Sequence, residues 1–379
     1  MEKIYLDNAA TTALLPEVIS EMTSVLSTEY GNPSSSHSFG RTAKSRLELA
    51  RKSIAQHLNV SAQEIIFTSG ATEANNWILQ NAIATLKVKR IITSKIEHHA
   101  VLHTVQFLQK KHAIQVDYVQ IKSDGTLDIN HLVELLGQEM PTLVSLMQVN
   151  NEIGTISDVD EIAKICKQHS VYFHSDTVQS IGKIPLDLQK IAADFVVASA
   201  HKFHGPKGIG FAFIRKGTKM ASLFQGGEQE KGSRPGTESL HNIVGMAKAL
   251  ELSYQNLVPN RTYIQDLKKY TVLELKNKLP EIQFNTNPDE SLYTILNVRL
   301  PLDTSKSAML LFALDMKGIA VSRGSACQSG SSKPSHVLAE FLNADDAAKP
   351  SIRISFSHFT TKKEIDILVN ALVTLSYLN

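Results

Sequence analysis

Along residues 16–255, short apolar runs alternate with longer segments of helical character. Short continuous apolar runs predict strands buried on both faces, and the longer segments predict helices that cross over between them. The alternation predicts an α/β fold with a mostly parallel central sheet flanked by helices. The candidate strands are 64–67, 90–93, 143–147, 171–174, 194–197 and 210–213. A helical stretch from about 240 to 257 predicts a link to a second region of mixed helices and strands, with the join at Pro259, Asn260 and Arg261. The expected division is a large α/β unit over 12–257 and a smaller α+β unit over 258–379 completed by 1–11.

Most of these strands end in small or polar residues, and open α/β sheets bind ligands in the crevice beyond the carboxyl ends of their strands. The endings read Thr68-Ser69-Gly70-Ala71-Thr72, then Glu97-His98, Asn150-Asn151-Glu152, Asp176, and Ser199-Ala200-His201-Lys202. They are predicted to converge. The first precedes a helix-like run, where backbone amides favour a phosphate, although a capped helix after a tight turn has the same sequence. Lys202 follows a buried-looking strand and is placed for desolvation, which lowers a lysine's pKa and suits it to a Schiff base. Asp176 ends the preceding strand. A carboxylate there keeps a pyridine nitrogen protonated, or else simply pairs with Lys202.

His98, His99 and His103 invite a metal reading, but no carboxylate or thiol at ligand spacing completes the set, so no metal is expected. His98 is read as a group that stacks on an aromatic cofactor and shuttles protons, and His99 and His103 as ordinary helix residues. Arg353 sits in the alternating run 351–356, where a half-buried arginine needs an anion, either a substrate carboxylate or an internal acid. Cys327 stands on a Gly/Ser-rich stretch near Arg323 and Lys333, a setting that predicts an exposed, partly ionised thiol on a mobile loop. Cys166 falls at helical spacing with Ile162 and reads as core filling.

Composition narrows the field. Hydrophobic residues make up 42% of the 379 positions and charged residues 20%, which excludes disordered and low-complexity classes. A formal net charge of +2 offers no long-range field for nucleic acid. The opening residues lack the pattern of a secretory signal, and no run has the length of a bilayer span, so a cytoplasmic protein without membrane or direct nucleic-acid partners is expected.

Taken together, Tyr5-Leu6-Asp7-Asn8-Ala9-Ala10-Thr11-Thr12, Gly31-Asn32-Pro33-Ser34, Ser69-Gly70-Ala71-Thr72-Glu73, Glu97-His98, Val149-Asn150-Asn151-Glu152-Ile153-Gly154, Asp176 with Gln179, Ala200-His201-Lys202, Arg234-Pro235-Gly236-Thr237 and Gly324-Ser325-Ala326-Cys327 span nearly the whole chain. In these the sequence resembles the NifS/IscS cysteine desulfurases, fold-type I pyridoxal-phosphate enzymes of the class V aminotransferase group. The resemblance implies that Lys202 carries pyridoxal 5'-phosphate, Asp176 pairs with its ring nitrogen, His98 stacks on the ring, and Gln179 and Asn151 approach its phenolic oxygen. It further implies that Ala71, Thr72, Ser199 and His201 hold the phosphate, with Thr237 from the second copy of a homodimer. Asn32 and Arg353 would take the carboxylate of L-cysteine, and Cys327 would receive its sulfur as a persulfide. Sulfur would then pass to an acceptor such as an iron-sulfur scaffold or a tRNA-thiolation protein.

Some positions depart from the family pattern. Relatives commonly read Arg-Phe-Ser-Leu-Gly-Arg where this chain has Arg353-Ile354-Ser355-Phe356-Ser357-His358, and His204 and Lys333 replace a common tyrosine and glutamate. Rival readings are a transaminase or selenocysteine lyase on the same fold, a non-catalytic assembly protein, and a metal-dependent hydrolase built on the histidine cluster.

Overall fold

The computed structural model describes residues 3–303, 307–324 and 335–377. In chain order the strands are β1 (Ile4–Tyr5), β2 (Ile65–Thr68), β3 (Arg90–Ser94), β4 (Gln115–Val119), β5 (Thr142–Ser145), β6 (Tyr172–Asp176), β7 (Phe195–Ser199), β8 (Gly210–Ile214), β9 (Gln283–Phe284), β10 (Ile295–Arg299), β11 (Ile319–Ala320) and β12 (Ser351–Ser355). The α-helices are α1 (Pro16–Thr28), α2 (Ser38–His57), α3 (Ala71–Ala84), α4 (His99–His112), α5 (Ile129–Leu136), α6 (Val159–Gln168), α7 (Leu240–Gln255), α8 (Leu257–Lys278), α9 (Ser307–Asp315), α10 (Ala344–Ala348) and α11 (Lys362–Tyr377).

Seven strands form one sheet in the order β2-β8-β7-β6-β5-β3-β4. The pairs from β7 through to β4 are parallel, while β8 runs antiparallel to both β7 and β2. Successive residues of its strands enter opposite cores, as the two-residue repeat of a strand requires. Ile91, Phe195 and Val197 pack with Trp77 and Ile78 of α3 and Val101 and Val105 of α4. Ile92, Val196 and Ala198 pack on the other face against α1, α2, α6 and α7. Burial on both sides explains why these strands read as unbroken apolar runs.

A separate core gathers Ile4 and Leu6 with residues of α8, β10, β12 and α11. Its antiparallel sheet runs β12-β10-β9, and β1 pairs in parallel with β11. The segment after β1 crosses between the two cores: Asn8 Nδ2 donates to the Ser355 carbonyl at 2.9 Å, and the Ala9 amide donates to Ser355 Oγ at 2.9 Å. The expected strands agree with the observed ones to within two residues, but β4 was not foreseen. It is an edge strand whose polar Gln115 and Asp117 interrupt the apolar run. α7 and α8 meet at Asn256, and Pro259, Asn260 and Arg261 of the expected join lie within α8. Pro259 lies inside the first turn of α8, where a missing amide proton costs no helical hydrogen bond.

Candidate active site

The carboxyl ends of the parallel strands open on a cavity of about 240 Å³. Close backbone packing shapes its floor. A Cβ on Gly210 would stand 2.2 Å from the Ala198 carbonyl oxygen and 2.8 Å from Gly70 Cα, so β8 can adjoin the turn before α3 only without a side chain. Gly70 itself has φ +152°, open to glycine, and caps α3 without any side-chain hydrogen bond. The N-terminus of α3 thus faces the cavity with Ala71 and Thr72 on its wall. The Ala71 amide donates to Ser199 Oγ at 2.8 Å, which brings the end of β7 to the same spot. His201 follows, its Nδ1 3.2 Å from Thr11 Oγ1, and burial aided by the charge of Lys202 pushes its pKa down to about 4. Helix amides, a hydroxyl and a neutral imidazole make a site for an anion.

Asp176 stands at the end of β6 and is 5% exposed. Its Oδ2 accepts from Asn75 Nδ2 at 2.8 Å, and its Oδ1 accepts from the Val178 amide at 3.1 Å. Asn75 is fully buried on α3, four residues after Ala71. Sequence reasoning passed over it, although a polar residue on a helix face shared with Ala74 and Ile78 was the available signal. His98 also lines the cavity and caps α4, its Nδ1 accepting from the Ala100 amide at 3.1 Å. Burial lowers its pKa, and Asp176 opposes that shift. Beneath it, Glu97 is 1% exposed, and burial raises its pKa to about 8. Glu97 Oε1 accepts from the Met147 amide at 2.8 Å and from Ser94 Oγ at 3.1 Å, fastening the end of β3 to the segment after β5.

Lys202 lies on a short 3₁₀ turn after β7, and its Nζ donates to the Ala9 and Ala10 carbonyls at 2.7 and 2.8 Å. Gln179 Nε2 donates to the same Ala9 carbonyl at 2.9 Å. Arg353, on β12, reaches the cavity from the other core. It pairs with Asp7 at 2.8 Å and donates to the Asn151 carbonyl at 2.7 Å, while its Nε is buried without a partner among the described residues. Asp7 thus supplies an internal acid of the kind expected for Arg353. Asp7 was quoted in the N-terminal motif but given no role.

Ten of the expected site residues therefore meet in one cavity: Ala71, Thr72, His98, Asn151 and Asp176, together with Gln179, Ser199, His201, Lys202 and Arg353. Asn32 does not line it; it is exposed in the turn between α1 and α2, where its Oδ1 accepts from the Ser34 amide at 2.9 Å. Thr237 is exposed and also outside the cavity of a single chain. Cys327 and Lys333 lie outside the described residues. Cys166 is 1% exposed within the core of the large sheet, and burial pushes its thiol up to about 12. His99 and His103 stack on α4 with ring centroids 4.7 Å apart, and His336 packs on His99 at 4.6 Å. Among the described residues no group of three His, Cys, Asp or Glu side chains could hold a metal, and no helix is long and apolar enough to cross a membrane.

The Aminotransferase class-V family profile matches residues 4–368. The cysteine desulfurase IscS of Dictyoglomus turgidum is 40% identical over 372 residues, covering 98% of this chain and 93% of the relative. That of Buchnera aphidicola is 41% identical over 370 residues, covering 96% and 90%. A solved NifS-like protein superposes with a TM-score of 0.91 at 38% identity over 100% of both chains. The structure of SspA in complex with cysteine superposes with a TM-score of 0.80 at 30% identity, covering 95% of this chain and 100% of the other.

Proposed function

This chain belongs to the class-V aminotransferase family, in its branch of IscS- and NifS-type cysteine desulfurases, and we propose that it converts L-cysteine to L-alanine with pyridoxal phosphate, passing the sulfur to Cys327. The observation that carries the reading is the convergence of Lys202, Asp176, His98 and the α3 N-terminus on one cavity. The residues fit the cofactor. A pyridinium N–H finds a buried carboxylate already oriented by Asn75, a phosphate finds α3 with Ser199 and His201, and an aldehyde finds Lys202. When bound, pyridoxal phosphate supplies an electron sink that stabilises negative charge at the substrate Cα.

Each side chain then has a task. Asp176 holds a proton on the ring nitrogen, and Asn75 keeps its carboxylate from turning. His98 would cover the ring and, with its pKa lowered by burial, would accept or return a proton at the substrate. Gln179 and Asn151 would hold the phenolic oxygen. Arg353 takes the substrate carboxylate with Asn32, sharing its charge between that group and Asp7. Lys202, whose Nζ donates to the Ala9 and Ala10 carbonyls, would hold the cofactor and would move the proton at the substrate Cα. Thr237 of a second copy completes the phosphate site, so the active form is a homodimer.

In the sulfur step the Cys327 thiolate forms an S–S bond to the substrate sulfur as the substrate C–S bond breaks, and the electron pair of that bond stays with carbon, which takes a proton. The net change is L-cysteine plus a thiol giving L-alanine plus a persulfide. A cytoplasmic sulfur acceptor, an iron-sulfur scaffold or a tRNA-thiolation protein, then accepts the sulfur. The test is the absorbance spectrum of the purified protein with pyridoxal phosphate before and after L-cysteine, with alanine and Cys327 persulfide measured in the same sample. Equal amounts of both, with persulfide absent in Cys327→Ser, are expected; alanine formation that persists unchanged in Cys327→Ser removes that residue from the reaction.

A further inference from the structure

Lys183 lies in the turn after β6, four residues beyond Gln179, and the activity proposed above gives it no task. Its Nζ donates to the Gln179 carbonyl at 3.1 Å and to Gln179 Oε1 at 3.4 Å. The side chain is mostly buried. Among the described residues no carboxylate offsets its charge: burial, with the like charge of Lys202 adding to it, holds its pKa down at about 7. A second cavity of about 50 Å³ shares Ala9 and Lys202 with the first, and Lys183, His204 and His358 also line it. A buried cation without a counter-ion costs folding free energy, and in an active-site cleft it marks a candidate functional group.

The groups around the two lysines make a lopsided field. Asp176 and His98 share the first cavity with Lys202, as does Arg353 with its partner Asp7. Around Lys183 stand His201 and His204, each pushed down to about 4 by burial and so neutral near pH 7, with Tyr293 and His358 beyond them. Lys183 and Lys202 stand together at this end, with Lys207 also acting on His201, and a proton on either of the first two disfavours one on the other. A lysine that must attack a carbonyl carbon has to be neutral, and a neighbouring cation is one way to make it so.

We propose that Lys183 is a positioning residue for the reaction: its charge disfavours a proton on the nitrogen of Lys202, and its amine holds Gln179 on the wall of the first cavity. The proposal rests on the reading of Lys202 as the cofactor-bearing lysine. The test is a spectrophotometric pH titration of the holoenzyme, following the absorbance of the lysine-bound cofactor. Lys183→Met raises the midpoint by roughly one pH unit, and Lys183→Arg, which restores the charge, returns it to within about 0.3 unit of the wild type. Lys183→Gln can still bond to Gln179 but carries no charge, and it serves in place of the Met variant if that one fails to fold. A raised midpoint in Lys183→Gln supports the proposal; a wild-type midpoint in the uncharged variants, or an Arg variant shifted as far as they are, overturns it. A wild-type protein that gives no lysine-bound absorbance with pyridoxal phosphate overturns the assignment of Lys202 first, and this proposal with it.

Discussion

Asp176 and Lys202 share a cavity, yet their hydrogen-bond partners come from different parts of the molecule. Asp176 is held by Asn75 of α3 and by the Val178 amide just after β6, both beside the large sheet. Lys202 is held by Ala9 and Ala10, and Arg353 by Asp7, in a strap anchored to Ser355 in the other core. The first arrangement draws on α3 and the turn after β6 and has no bond to the strap. The second depends on the strap, so its cations can exchange protein partners for a ligand. A cavity of this kind is rigid where charge must stay put and exchangeable where bonds must be made.

Breaking the exchangeable side at its centre has the largest effect. Lys202→Ala is expected to lower alanine formation by roughly a thousandfold or more and to remove the lysine-bound absorbance, both read on protein saturated with pyridoxal phosphate. Asp7→Asn attacks the strap elsewhere. It leaves the 1%-exposed Arg353 without its acid, and urea unfolding should show a loss of about 3 kcal/mol.

On the rigid side, His174 is fully buried with Nδ1 2.9 Å from Ser145 Oγ, and burial pushes its pKa down to about 4. From the ordinary value of 6.5 down to about 4, the unfolded chain takes up a proton that the folded one refuses. Stability is therefore full above the upper value and falls as pH drops toward the lower one, by about 3 kcal/mol. Glu97 works in the opposite sense: with its pKa raised to about 8, its contribution is lost as pH rises from 4.5 through that value. The difference in urea stability between wild type and His174→Gln, compared at neutral and acidic pH, isolates the histidine; a constant difference would show that its proton is not involved. Asn75→Ala should weaken retention of pyridoxal phosphate about tenfold, measured by equilibrium dialysis, because Asp176 loses a donor. The partly exposed Glu73–Arg234 pair, 2.9 Å apart, is the mildest case, and Arg234→Gln should cost less than about 1 kcal/mol.

The rigid side was also the legible one. Buried strands impose a pattern on neighbouring residues, so β2, β3, β5, β6 and β7 with their polar endings, and β8, could be read directly, whereas the roles of Gln179 and Asn151, and the phosphate-holding roles of Ser199 and His201, came only from the family resemblance. The roles of Asn75 and Asp7 depend on partners 101 and 346 residues away, and no local period encodes a contact across that distance. Lys183 was missed for a related reason, since its meaning lies in the absence, among the described residues, of an acid around it. The first turn of α8 misled because proline reads as a break, while a helix tolerates it in its first turn.

The strap also sets a clock. Asn8 and the Ser355 carbonyl that holds it are separated by 347 residues, and β1 has no strand to pair with until Ile319 and Ala320 exist. At ribosomal speeds of about 5–20 residues per second, roughly 20–70 s pass between the synthesis of the two ends of that bond. During that interval the large sheet can form with Asp176, Lys202 and the Ala9 and Ala10 carbonyls already made, but without Ser355, which anchors the strap that carries those carbonyls. A nascent chain would thus own every sheet-borne group of the site before it owned a closed one, and competence would arrive only with β12.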